Sequence, residues 1–69
     1  MAYEIWDGSS GNMLGSWETE REALDLVERI FDTDGAHAVE ELVLTHENEA
    51  GQTVTVADGM DLLGRARRS

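Results

Sequence analysis

The chain has 69 residues, enough for one domain and no more. Five arginines and no lysine stand against fifteen acids, a formal net charge of −10, and residues 1–64 hold only Arg21 and Arg29 against all fifteen, which disfavours nucleic-acid binding by the body of the domain. The absence of cysteine excludes a disulfide scaffold, a thiolate metal site and a cysteine nucleophile.

Tyr3 to Asp7 alternates as a strand does, with Tyr3 and Ile5 on one side and Glu4 and Trp6 on the other. Asp7-Gly8-Ser9-Ser10-Gly11-Asn12 is a run of turn formers, and Met13 to Trp17 reads as the return strand of a hairpin. If Asp7 and Asn12 close the loop, Ile5 faces Leu14 and Trp6 faces Met13. Tyr3, Ile5 and Leu14 then share one face, and Trp6, Met13 and Trp17 the other.

Thr19-Glu20-Arg21-Glu22 is a capping box, with early acids that suit the helix dipole. Ala23, Leu24, Val27, Ile30 and Phe31 follow at helical spacing, and Gly35 supplies a stop, so the pattern predicts a helix over 20–33. Arg21, Asp25 and Arg29 are spaced as an i, i+4 charge ladder on its solvent side. Leu42 to His46 is a predicted strand starting near Glu40, apolar on both sides through Leu42, Leu44 and Val43. A polar turn over 46–52 leads to the strand Thr53 to Ala57, with valines on one face and threonines on the other. Asp58 can cap a short helix from Gly59 to about Arg67, and 65–69 is expected to form a frayed basic end. The order ββαββα predicts an α+β fold in a single domain over 1–69. Its four-stranded, mostly antiparallel sheet carries one main amphipathic helix and a short C-terminal helix.

Motifs for chemistry are absent. His37 and His46 fit no metal-helix pattern, and His46, Glu47 and Glu49 at a turn lack a third ligand fixed by spacing. Asp32-Thr33-Asp34-Gly35 with Glu41 imitates part of a calcium loop, but Ile30 occupies its first ligand position. Gly8-Ser9-Ser10-Gly11 has no lysine and leads into a strand, while Gly59 to Arg65 has P-loop glycine spacing with arginine in place of lysine and leucines facing the phosphate position. No catalytic residue, metal or cofactor is expected, and the protein is not expected to be an enzyme.

Small domains bury a modest share of their surface, about 60% near this size, so two-sided apolar strands need cover from elsewhere. A second copy of the chain is the favoured cover, making the protein a homodimer; the C-terminal helix packed behind the sheet is the alternative. No apolar run is long enough to cross a membrane, and the first residues lack the basic and apolar regions of a signal peptide, which predicts a cytoplasmic protein.

A short hairpin, the segment Trp17-Glu18-Thr19-Glu20-Arg21-Glu22-Ala23-Leu24 opening an amphipathic helix, and a second hairpin make residues 3–57 similar to HicB-like antitoxin domains. Short uncharacterised bacterial domains share this order. The resemblance implies a sheet-and-helix module, often dimeric, that blocks a small basic ribonuclease toxin. The chain has no L-P-G turn segment between strand and helix and no separate DNA-binding tail, and no functional residue carries over. The expected function is a non-catalytic interaction module that engages a basic protein. Trp6, Met13 and Trp17 are the candidate anchors, and Glu18, Glu20, Glu22, Asp25 and Glu28 the steering charges. The alternative is a structural or accessory domain whose acidity serves solubility or adaptation to high salt.

Overall fold

The turn formers between Trp6 and Met13 fold the chain back as expected. In the computed structural model, which describes residues 2–68, the Asp7 amide donates to the Asn12 carbonyl at 2.8 Å and closes the loop between β1 (Tyr3–Asp7) and β2 (Met13–Trp17). Trp6 pairs with Met13, and the register then shifts, so that Ile5 lies opposite Gly15 and Tyr3 opposite Trp17. Leu14 is the extra residue of a bulge, and the expected Ile5–Leu14 pair does not form. One inserted residue reverses the facing of everything beyond it. Trp17 therefore sits on the face of Tyr3 and Ile5, not with Trp6 and Met13.

The capping box starts α1 (Glu20–Asp34) where the sequence places it. The Thr19 hydroxyl accepts from the Glu22 amide at 3.2 Å and donates to the Glu22 carboxylate at 3.0 Å. The apolar stripe buries Ala23, Leu24 and Val27. Gly35, at φ 86°, ends the helix by donating to the Phe31 carbonyl at 2.8 Å. A four-residue helix, α2 (Ala36–Val39), follows directly and buries Val39. Four residues are too few to show a period, so this turn has no sequence signature. It delays β3 (Leu42–Glu47) by two residues beyond the expected start near Glu40.

The second hairpin joins β3 to β4 (Thr53–Asp58) through a turn in which the Asn48 side chain accepts from the Ala50 and Gln52 amides. A bulge at Val56 separates the Ala57–Leu44 pair from the Thr55–Thr45 pair. β3 also pairs with β1, giving one fully antiparallel sheet in the order β2-β1-β3-β4. β1 and β3 form the centre, and β2 and β4 are the two edges.

α3 (Gly59–Arg68) completes the core. Leu62, Leu63 and Ala66 join Leu24 and Val27 of α1, Val39 of α2, and Ile5, Leu42 and Leu44 of the sheet in a single apolar cluster. All three helices thus lie on one face, with α3 beside α1 rather than behind the sheet. Arg65 pairs with Glu20 at 3.1 Å, and the Arg67 guanidinium lies 5.3 Å from the Phe31 ring centre. Residues 65–68, expected to fray, are helical and tie α3 to α1; Ser69 lies outside the described residues.

Among the described residues no helix covers the opposite face, which carries Glu4, Trp6, Val43, Thr45 and Thr55 by their pairing. There the Trp6 indole N–H donates to the Thr45 hydroxyl at 3.0 Å, and Thr45 is buried although no helix reaches it. Among the described residues no helix is long and apolar enough to cross a membrane.

Candidate functional site

The bulge at Leu14 that displaces Trp17 also creates the most distinctive surface of the molecule. Gly15 has no side chain, and the Trp17 ring lies against it: a Cβ added to Gly15 would stand 2.6 Å from the ring. The indole packs half-buried against the core cluster from the edge of the sheet. Beside it runs the outer face of α1. Trp17, Glu22, Asp25, Glu28, Arg29 and Asp32 together line an open depression of about 500 Å³. Four carboxylates and one arginine leave it strongly negative.

Of the eight residues selected from the sequence, four meet here: Trp17, Glu22, Asp25 and Glu28. Arg21 reaches two of them, Asp25 at 3.1 Å and Glu28 at 3.9 Å, and offsets part of their charge. The expected charge ladder closes on that side only, since among the described residues no ion pair joins Asp25 to Arg29. Glu20 is turned away and holds Arg65. Glu18 is exposed in the link between β2 and α1. Trp6 and Met13 lie on the uncovered sheet face, with Met13 about half exposed. Arg29, expected in the charge ladder, and Asp32, weighed as part of a calcium loop, were not among the expected interaction residues, although Asp32 stands one heptad beyond Asp25, at i+7.

Exposed carboxylates beside an aromatic ring suit a cation. They attract it from a distance, and the ring face adds a short-range contribution once the cation is seated. In the first hairpin loop the Asp7 carboxyl is held below its ordinary range. The Ser9 hydroxyl at 2.8 Å and the Ser9 amide at 2.9 Å donate to it and hold its pKa down.

The histidines stand apart from this surface and from each other. His46 stacks on Tyr3 with ring centres 4.3 Å apart, while Glu47, the next residue along β3, points to the opposite face. His37 is exposed on α2, 3.6 Å from Glu40. Among the described residues no group of three or more His, Asp or Glu side chains is placed to hold a metal ion.

No family model matches the chain, and no match is found among curated proteins or solved structures, so its functional reading rests on its own geometry.

Proposed function

We propose that this protein is a small acidic, non-catalytic interaction module, homodimeric and cytoplasmic, that binds or inhibits a basic partner protein in the manner of an antitoxin or inhibitor. The observation that carries this reading is the placement of Trp17 among Glu22, Asp25, Glu28 and Asp32 in one open depression. The acids speed and orient the encounter, and Trp17 contacts a lysine or arginine side chain of the partner. Trp6, held by its hydrogen bond to Thr45 on the face no helix covers, is a second anchor for the same kind of partner, because no arginine lies in any strand. Function then consists of occupying the partner's basic surface and excluding its substrate.

The test is affinity purification from the source cells at low and high salt. A variant combining Glu22→Gln, Asp25→Asn, Glu28→Gln and Asp32→Asn serves as the control. The expected result is a strongly basic protein that the wild type retains at low salt and that both salt and the neutralised variant release. Retention indifferent to both would overturn the electrostatic mechanism.

A second reading is an accessory domain whose acids serve solubility or a high-salt interior. The exposure of the α1 acids favours it, since a solvated face needs no partner. In that case salt raises the unfolding midpoint and no basic protein is retained.

A further inference from the structure

The flank formed by α3 and β4 differs from the rest of the surface in ways that point to one occupant. β4 is an edge strand whose residues Thr53 to Ala57 carry no charge, and a free edge exposes a row of backbone donors and acceptors. Val54 and Met60, two of the few exposed large apolar side chains, stand on this flank, half in solvent. Between β4 and α3 lies a cleft of about 440 Å³ lined by Val56, Met60, Asp61, Gly64 and Arg68 among others. Arg65 and Arg68, two of the chain's five arginines, also line it, a concentration ill suited to a basic partner.

Gly64 is the most informative residue. It sits inside α3, where glycine costs stability relative to alanine, and it has no positive φ to explain its presence. A Cβ built on it meets nothing within 4 Å, so packing within the chain does not require glycine either. Glycine without an internal reason, on the half-exposed side of a helix, permits close approach by something outside the chain.

We infer that the α3–β4 flank is the homodimer interface, with a second copy of this chain as its occupant. Around a two-fold axis, α3 packs antiparallel to its copy across Gly64, and the two β4 edges come side by side. The charges of α3 are self-complementary in that arrangement alone. Asp61 lies in the first turn and Arg68 at the end, so antiparallel pairing sets each Asp61 against an Arg68. The same pairing covers Val54 and Met60 and leaves the Trp17 depression on the far side of the sheet free. This assignment rests on the self-association part of the proposed function and is independent of the basic partner.

Solution mass by light scattering tests it, with circular dichroism to confirm folding of each variant. The wild type is expected near twice 7.6 kDa. Asp61→Arg leaves only cations on α3 and should raise the dimer dissociation constant at least about tenfold, like charges being costly across an interface. Arg68→Asp should do the same, and the double swap Asp61→Arg with Arg68→Asp should restore dimerisation. Gly64→Leu should give a folded monomer. A wild-type dimer unaffected by these changes but lost with Met13→Lys would place the interface at β2 and overturn the assignment while sparing self-association. A monomeric wild type at every salt concentration would overturn both and leave the acidic binding surface untouched.

Discussion

The two edges of the sheet are built on opposite plans. At the β2 edge, α1 carries six acids against two arginines, and a tryptophan lies against a glycine that the fold requires. At the β4 edge, α3 carries three arginines against one aspartate, and the glycine facing outward is one that the fold does not require. One flank attracts cations; on the other, an antiparallel copy would set each Asp61 against an Arg68. An overall charge of −10 conceals this division. Net charge describes how a chain behaves in solution, whereas the distribution over the folded surface decides which face meets which partner.

Substituting the two glycines should break the comparison most sharply. Gly15→Val drives a side chain into the Trp17 ring and should cost about 2 kcal/mol, the scale of overpacking, measured by urea unfolding. Gly64→Ala should instead stabilise the monomer by up to about 1 kcal/mol, the helix-propensity difference. Destabilisation by Gly64→Ala under dilute conditions would show that the fold itself needs that glycine.

The next effect concerns the uncovered face. Trp6→Phe keeps an aromatic ring but removes the indole donor to Thr45, and should cost about 1 kcal/mol. Thr45→Val in the same background should add only the contribution of the long hydrogen bonds by which the Thr45 hydroxyl donates to Glu4, at 3.4 Å and 3.5 Å, because the bond shared with Trp6 is already gone.

Smaller still is the tie between the flanks. Arg65→Ala removes the ion pair with Glu20, which is partly exposed, and should cost no more than about 0.5 kcal/mol, declining with added salt. Arg67→Ala should cost a similar amount through loss of its contact with Phe31, at about 0.5 kcal/mol, without that salt dependence.

The smallest is a pH effect. Asp7 is held below its ordinary pKa by Ser9, so its contribution to stability is complete above the ordinary carboxylate value of about 3.9 and is lost as pH falls through the folded value. Unfolding midpoints measured from pH 5 down to pH 2 should fall more for the wild type than for Asp7→Asn. Equal slopes would show that the Ser9 hydrogen bonds do not persist in solution.

Legibility followed the range of the interactions involved. The Thr19–Glu22 cap, the stripe from Ala23 to Phe31 and the stop at Gly35 lie within a few residues of one another, and the helix appears where they place it. The candidate site was half legible. Glu22, Asp25 and Glu28 share a helix and stay together, but Trp17 joins them only because Leu14 bulges. That bulge depends on a ring finding room over Gly15 against a core assembled from distant segments.

The sequence alone thus determined the element order, the bounds of the main helix, the antiparallel hairpins and the acid excess, since periodicity, capping and turn chemistry act along the chain. Tertiary structure decided which face Trp17 occupies, that α3 lies beside α1, and that Trp6 remains on a face without a helix. Each of these depends on how apolar surfaces far apart in sequence fit together. The burial of Leu62, Leu63 and Ala66 against Leu24 and Val27 is one such fit, and no local pattern encodes it.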